Sequence, residues 1–394
     1  MLKGKTVVLG ITGSIAAYKM AGVAHTLKKM GADVHVIMTK NALNFINPIT
    51  FETLTSNKCL VDTFDRNFQF NVEHVSLAKK ADIFMVAPAS ANIIGKIASG
   101  ICDDMLTTTL FAFKGVKIIA PAMNTNMYDN PILQDNLKKL KGYGYEIIEP
   151  ASGLLACDDI GRGKLPDEEI LVNRILYHIA FPHDLVGKNI LITAGPTQEA
   201  IDPVRFITNH STGKMGYAIA NNAYLRGANV YLVSGPVSVK AIEGINVISV
   251  KSAEEMFKAV ESNYKNMDYI IMSAAVADYT PKTVATQKIK KSDDDMKIDL
   301  ERTKDILGFV GENKTTQKLV GFSMETENML ENSKNKLLKK NADMICANSL
   351  SSVGTGFGVD TNQITFITKD KVEVSDLISK SELANIILDK IKEL

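Results

Sequence analysis

Residues 206–216, FITNHSTGKMG, set a Gly-Lys pair after a run of small polar residues and ahead of a helical pattern. Unpaired N–H groups at a helix start attract anions, so the chemistry open to such a stretch is phosphate binding. The P-loop pattern G-x-x-x-x-G-K-[ST] is not met. The residue five before Gly213 is Thr208, and Met215 follows Lys214. Any phosphate here is held in another way. The first half of the chain carries a second group of chemically able residues. GITGSIAAYK (10–19), APASANIIGKIASGICDD (87–104), PAMNTNMYDNP (121–131) and GLLACDDIGRGKLPD (153–167) are rich in small polar side chains.

A dinucleotide site would need a third glycine and an acidic residue ending the second strand. Here the glycines are Gly10 and Gly13, and the second apolar run ends in Thr39-Lys40, which argues against an NAD-linked oxidoreductase. Gly13 and Ser14 at a helix N-terminus still suit a phosphate monoester. Ser90, Asn92, Lys96 and Ser99 follow at helical spacing, and Asn124 stands between two methionines. Cys157 lies in a Gly/Asp-rich loop, where a thiol is accessible for chemistry. Cys102 and Cys346 read as small buried hydrophobes. His25, His35, His178 and His183 have no chemical neighbourhood and read as structural. The four cysteines are far apart with no C-x-x-C, which argues against zinc or a disulfide framework and for a reducing cytosol.

Apolar runs must position these residues. In the first half they are 6–10, 33–39, 82–88, 116–121 and 145–150, with a helix from Ser14 to Met30 stopped by Gly31. In the second half they are 189–193, 229–234, 246–250, 269–275, 319–323, 343–348 and 362–368. Runs apolar throughout suit strands covered on both faces, so two parallel α/β sheets are expected. LKGKTVVLGITGS (2–14) and LVGKNILITAGPT (185–197) look like two first strands, with the boundary near YHIAFPHDLVG. The domains are therefore 1–182 and 183–394, both Rossmann-like. A net charge of +1 gives no argument for nucleic acid or an anionic membrane. No apolar stretch reaches the roughly 18 residues of a membrane span, and the N-terminus does not read as a signal peptide. The expected location is cytoplasmic.

Residues 1–180 resemble the flavin-dependent cysteine decarboxylases that act on 4'-phosphopantothenoylcysteine. The resemblance rests on GSIAAYK, on His74 in HVSLAKKAD, on PAMNTNM (121–127) and on LAC (155–157). It implies a flavodoxin-like domain holding FMN at Gly13, Ser14, Thr39, Ser90, Asn92, Lys96 and Ser99. In the implied chemistry a substrate thiol gives two electrons to flavin, CO2 is lost from the thioaldehyde, and the electrons return to the enethiol. His74 would be the base, Asn124 would hold the carboxylate, and Cys157 would donate a proton. The chain departs from the family at Tyr128, where Trp is usual, at Asp158 for Gly and at Lys164 for Arg.

Residues 185–394 resemble the phosphopantothenate–cysteine ligase domain through ITAGPTQEAIDPVRFITNHSTGKMG (192–216), SAAVADY (273–279), KIKK (288–291), GFSMET (321–326) and QITFIT. The resemblance implies a parallel-sheet domain in which 4'-phosphopantothenate attacks CTP, and cysteine then displaces CMP from the acyl-cytidylate. Ser211, Thr212 and Gly213 would meet phosphates, and Asn209 would serve the second step by bonding the carbonyl oxygen as charge grows on it. Lys288 would bring a cation to the α-phosphate from a polar loop, with Lys290 and Lys291 as alternatives. Ala275, Asp278 and Phe322 would surround the nucleotide, with Lys336 and Lys340 on the triphosphate. The segment 304–307 matches only at Asp305 and Ile306. Mg2+ is expected from the polyphosphate charge, and no ligand motif for it is present. The implied partners are small-molecule substrates, with homo-oligomers and sites between subunits. A non-catalytic flavoprotein is the competing reading, and intact His74, Asn124 and Cys157 speak against it.

Overall fold

Each half of the chain enters its sheet through the same turn. In the computed structural model Leu2 and Leu185 are buried, and Gly4 and Gly187 take left-handed φ values of 81° and 77°. The Lys5 and Lys188 N–H groups donate back to the Leu2 and Leu185 carbonyls at 3.0 and 3.1 Å. A third turn residue with φ above zero is a glycine position, so L-x-G-K is a turn signal in both places. The structure describes residues 1–64, 73–154, 160–291, 296–325, 327–349, 356 and 358–394. Two compact units result, Met1–Pro182 and His183–Leu394.

In the first unit, β1 (Thr6–Ile11), β2 (Asp33–Met38), β3 (Ile83–Ala89), β4 (Val116–Pro121) and β5 (Glu146–Ile147) pair in the order β2-β1-β3-β4-β5, all parallel. That is the flavodoxin-like order, in which the chain reverses direction between β1 and β3. β1 and β3 are buried throughout, as strands covered by helices on both faces must be. The helices are α1 (Lys19–Lys29), α2 (Pro48–Thr55), α3 (Glu73–Lys80), α4 (Ala91–Ser99), α5 (Met105–Ala112), α6 (Thr125–Tyr128), α7 (Pro131–Gly142) and α8 (Glu168–Ile179). The helix expected from Ser14 starts instead as a 3-10 turn over Ile15–Tyr18, and α1 begins only at Lys19. An antiparallel hairpin, β6 (Ala151–Leu154) and β7 (Ile160–Lys164), stands outside the sheet.

The second unit contains β8 (Asn189–Ala194), β9 (Gln198–Ala200), β10 (Phe206–Thr208), α9 (Lys214–Leu225), β11 (Asn229–Ser234), β12 (Asn246–Ser249), α10 (Ala253–Asn263) and β13 (Tyr269–Met272). Then follow β14 (Tyr279–Pro281), β15 (Leu300–Arg302), α11 (Ile306–Asn313), β16 (Lys318–Glu325), α12 (Met329–Lys339) and β17 (Met344–Ser349). The chain closes with β18 (Thr361–Asn362), β19 (Thr365–Ile367), β20 (Val372–Val374), β21 (Ile378–Ser379) and α13 (Lys380–Glu393). Its main sheet runs β12-β11-β8-β13-β16-β17-β19-β20. The first six positions are parallel and follow the doubly wound order 3-2-1-4-5-6, with the reversal between β8 and β13.

The expectation of a wholly parallel second sheet is corrected, because β19 and β20 are antiparallel. A tight turn closed by the Thr368 N–H on the Lys371 carbonyl joins them, and a turn that short permits only antiparallel pairing. Three strand entries share a device that the sequence analysis missed. Asp82 accepts the Thr6 N–H at 2.7 Å, Asp268 the Asn189 N–H at 2.9 Å, and Asp343 the Leu319 N–H at 2.7 Å. Each aspartate thus satisfies an orphan N–H at the start of the neighbouring strand.

Candidate active sites

The carboxyl ends of β1 and β3 are tied by Thr12. Its hydroxyl donates to the Pro88 carbonyl at 2.7 Å and accepts the Ser90 N–H at 3.0 Å. Sequence reasoning missed Thr12, although a hydroxyl directly after the first strand was the signal. Gly13 follows, where a Cβ would come 2.8 Å from the Asn41 Cβ. Ser14 caps the 3-10 turn by accepting the Ala16 N–H at 3.3 Å, and Ser90 caps α4 by accepting from Ile93. The Thr39 hydroxyl, just past β2, is buried and finds no hydrogen-bond partner among the described residues.

The α4 residues divide. Asn92 and Ser99 are exposed, while Lys96 donates to Asp103 at 2.6 Å and Asp104 at 3.2 Å. The Asp103 bond is the main influence raising its pKa. Lys96 therefore restrains the α4–α5 connection.

A cleft of about 500 Å³ opens beside Ser14, bordered by Tyr18, Met123, Asn124, Leu154 and Lys164 among others. Asn124 caps α6, its side-chain oxygen accepting the Asn126 N–H at 2.9 Å. The β7 strand is clamped onto this segment. Met123 N–H donates to the Gly163 carbonyl at 3.0 Å, and a Cβ on Gly163 would sit 2.2 Å from the Met123 oxygen. That close approach puts Lys164 and Asn124 into one cleft. Tyr128 is 2% exposed, and its hydroxyl donates to Glu149 at 2.7 Å. Burial, with the Glu149 carboxylate beside it, pushes the phenol up to about 12. His74 is the second residue of α3, partly exposed, and does not border the cleft. Cys157 and Asp158 lie outside the described residues. The Cys102 expectation is corrected: it is exposed, while Cys59 and Cys346 are buried. Cys102 falls in the connection after the α4 cap Gly100, between Ile101 and Asp103, where the chain has left the helix. Among the histidines read as structural, His35 contacts Asp33 at 3.1 Å, and His178 contacts Glu146.

In the second unit two cavities, each about 480 Å³, share Ala274, Val276, Asp278, Phe322 and Lys336 as walls. One is cationic, with Arg302, Lys304, Lys336 and Lys340 facing Asp278 and Asp305. Lys336 and Lys340 are one helical turn apart on the same face. The Lys336 ammonium donates to the Phe322 carbonyl at 2.8 Å, and burial pushes its pKa down. Asp305 caps α11 by accepting the Gly308 N–H at 2.9 Å and pairs with Lys340. Burial alone would raise the Asp305 carboxyl, but Lys340 and the Gly308 amide outweigh it and hold it below the usual range. Ile306 opens the same helix.

The other cavity is bordered by Asn209, Ser211, Thr212 and Gly213 at the start of α9, and by Ala275. The Asn209 amide N–H groups donate to the Ala275 and Val276 carbonyls at 3.0 and 3.3 Å, lashing the loop to the chain beyond β13. Strand 269–275 ends at Met272, because from Ser273 the chain turns to build this edge. Lys288 is exposed and borders neither cavity, and Lys290 and Lys291 likewise stay outside both. Sequence reasoning missed Thr197, whose hydroxyl accepts the Ala277 N–H at 3.0 Å, and Glu199, which holds the Ala253 N–H at 2.8 Å at the start of α10. Among the described residues no cluster of three or more acidic, His or Cys side chains could hold a metal, and no helix is long and apolar enough to cross a membrane.

These two sites coincide with matches to known proteins. Residues 1–180 match the family described as flavoprotein. Residues 185–394 match that of the DNA/pantothenate metabolism flavoprotein C-terminal domain. The coenzyme A biosynthesis bifunctional protein CoaBC of Bacillus subtilis is 47% identical, covering 100% of this chain and 98% of that protein. The protein of the same description from Escherichia coli is 40% identical, covering 99% of this chain and 97% of its own length. A crystal structure of the C-terminal domain of such a CoaBC protein shows 47% sequence identity, covers 53% of this chain and 96% of its own, and has a TM-score of 0.46. With both halves matched in order and relatives that span its whole length, this chain belongs to the family of bifunctional coenzyme A biosynthesis proteins.

Proposed function

We propose that the His183–Leu394 unit joins 4'-phosphopantothenate to cysteine through an acyl-cytidylate, and that the Met1–Pro182 unit decarboxylates the product to 4'-phosphopantetheine. The observation carrying this is the pair of cavities with a common wall at Ala274, Val276, Asp278, Phe322 and Lys336. A nucleotide triphosphate suits the cationic cavity, and a carboxylic acid suits the one at Asn209. The two reactants meet where the cavities join.

Ligation needs two displacements. The carboxylate oxygen attacks the α-phosphorus of CTP and pyrophosphate leaves. The cysteine amine then attacks the acyl carbon and CMP leaves. Lys336 and Lys340 neutralise the polyphosphate, Lys288 approaches the α-phosphate, and Asn209 bonds the acyl oxygen as negative charge develops on it. Mg2+ would accompany the nucleotide, whose polyphosphate charge calls for a divalent cation.

The first unit fits FMN. The Thr39 hydroxyl is buried without a described partner, and the Gly13 position is closed to any side chain, both at the strand edge where a phosphate monoester would sit. Gly13, Ser14, Thr39 and Ser90 would hold it. FMN supplies a reversible two-electron acceptor for the substrate thiol. Asn124 binds the substrate carboxylate until CO2 leaves, with Lys164 as the adjacent cation. His74 takes up a proton near the substrate, and Cys157 returns one to the enethiol carbon. Ile15, Tyr18 and Leu154 are 55%, 60% and 61% exposed around this cleft, which favours a second copy covering it and completing the site with His74. The cell compartment we assign is the cytoplasm.

The test supplies phosphopantothenate, cysteine and each nucleotide in turn to the full chain. Pyrophosphate with CTP, followed by CO2, is expected. Pyrophosphate from no nucleotide would overturn the ligase assignment. A protein that stays colourless after reconstitution with FMN would overturn the other.

A further inference from the structure

The Lys288 loop is fixed to the rest of its unit most closely at Ile289, the residue after the lysine. Between β14 and β15 the chain makes a long excursion, and its first described part, 282–291, is tied to the segment 201–205. The Ala285 N–H donates to the Ile201 carbonyl at 3.0 Å. Ile289 is held through both of its backbone groups: its N–H donates to the Asp202 carboxylate at 3.2 Å, and its carbonyl accepts from the Arg205 guanidinium at 2.8 Å. Asp202 and Arg205 are joined in turn by two side-chain bonds, at 2.9 and 2.6 Å. The Asp202 carboxylate also caps its own turn, accepting the Val204 and Arg205 N–H groups at 2.8 Å each. Its side chain is fully buried, while Lys288 next to the clamped peptide is exposed.

A buried carboxylate is retained only where its hydrogen bonds are satisfied. Asp202 receives five, and one of them comes from a segment otherwise rich in solvated charge. The Arg205 guanidinium holds this carboxyl well below the usual range, so it stays ionised throughout the pH range of an assay. The Asx-type turn explains why aspartate stands ahead of Pro203. It does not explain the bond to Ile289, some 87 residues away. Among the described residues Asp202 and its partner Arg205 are the side chains that hold Ile289.

We propose that Asp202 is a positioning residue for ligation: through the Asp202–Arg205 pair it fixes the Ile289 peptide and so sets the point from which Lys288 reaches the nucleotide. This rests on the ligase function proposed above and on Lys288 as its cation. Misplacing a charged group by about 1 Å can cost roughly 100-fold in rate, so a clamp one residue from that cation has kinetic consequence. Asp202 touches no substrate. Its effect passes through Lys288 alone, and this separates it from a merely structural carboxylate.

The experiment measures pyrophosphate release by the full chain in four forms: wild type, Asp202→Asn, Lys288→Ala and the double variant. Wild-type release with CTP establishes the underlying activity, and its absence refutes that activity rather than the clamp. Asp202→Asn is expected to lower kcat by roughly 10- to 100-fold with little change in KM for CTP, and to speed tryptic cleavage at Lys288 to Lys291. In the Lys288→Ala background the same substitution should add nothing, because both changes disable one group. A second variant, Ile289→Pro, removes the N–H that Asp202 accepts and leaves the buried pair in place. Because proline also restrains the backbone at 288 and 289, Thr286→Pro serves as the control for that restraint and should keep wild-type kcat. Ile289→Pro should show the same loss as Asp202→Asn even if the latter folds poorly. Wild-type kcat in Ile289→Pro, or losses that multiply in the double variant, would overturn the proposal.

Discussion

Replacing Asn209 by Asp separates the two halves of the ligation. In the structure the amide donates to Ala275 at 3.0 Å and to Val276 at 3.3 Å. Aspartate presents oxygen to both carbonyls, so two bonds are lost and a repulsion is gained. Each bond contributes about 0.5–1.5 kcal/mol net. Asn209 is exposed, so the released carbonyls regain water and the structural cost stays near the bottom of that range. A loss of about 1 kcal/mol lowers the midpoint of a domain this size by roughly 2–4 °C.

The catalytic cost is of another order. One N–H, most readily the one making the longer bond to Val276, must be available to the acyl oxygen as charge builds on it. Removing a donor of this kind costs about 100- to 1,000-fold. Asn209→Asp should therefore release pyrophosphate within a few-fold of the normal rate, accumulate acyl-cytidylate and form amide at least about 100-fold more slowly. Quenched-flow analysis with labelled phosphopantothenate reads both steps in one experiment. Amide formation at the normal rate would refute the donor role. Equal slowing of both steps would show that Asn209 acts only by lashing its loop to Ala275.

For Cys157→Ser, CO2 is expected at close to the normal rate with little phosphopantetheine, and a full yield by mass spectrometry would remove the proton-donor role. Tyr128→Phe deletes a buried hydroxyl bonded at 2.7 Å to a carboxylate that keeps Lys141. We expect about 1–2 kcal/mol of destabilisation, at the lower end for a bond to a charged group because Glu149 is not orphaned, and an unchanged first-unit midpoint would contradict it. Asp184 is held below the usual carboxylate range by the Arg226 guanidinium first and by Lys392. Because the folded pKa is depressed, its stabilisation is complete above the unfolded value near about 3.9 and drains away as pH falls below it. Denaturant midpoints of Asp184→Asn should therefore depend less steeply on pH below about 4 than those of the native chain, and parallel curves would refute this.

Most strands were legible because they are continuous apolar runs. Val116–Pro121 and Asn229–Ser234 coincide with their runs to the residue. Runs were misread where the chain leaves a sheet without losing apolar character, as at Ser273–Ala275. The β9–β10 and β14–β15 hairpins were invisible, since three-residue strands carry no usable period. The strand-entry aspartates were visible in principle. KKAD, KNMD and KKNAD precede β3, β13 and β17, but the bonds they make reach the neighbouring strand, which only topology supplies. Asn124, Lys164, Asn209, Lys336 and Lys340 were within reach because each follows or faces a strand edge. The destination of Lys96 was not, because Asp103 and Asp104 become its partners only once α4 ends at Gly100.

The same limit explains why the Gly-Lys pair misleads. In a P-loop the lysine beside the glycine meets the phosphates. Here the Lys214 ammonium donates to the Gly358 carbonyl and to Asp360, both at 2.7 Å. The nearby glycines serve packing. A Cβ on Gly195 or Gly213 would come 2.8 or 2.7 Å from Val237, and one on Gly216 would come 2.6 Å from Ala194. They let the turn after β8 and the start of α9 lie against each other, and this brings Ser211 and Thr212 to the cavity edge. The positive charge comes from α12 and its C-terminal cap, where Lys336 and Lys340 stand more than a hundred residues further along the chain. Donors and cations that a P-loop compresses into eight residues are here divided between α9, reached from β8, and α12, reached from β16, with β13 between those two strands. Only a sheet that reverses its order between β8 and β13 can bring them to one edge.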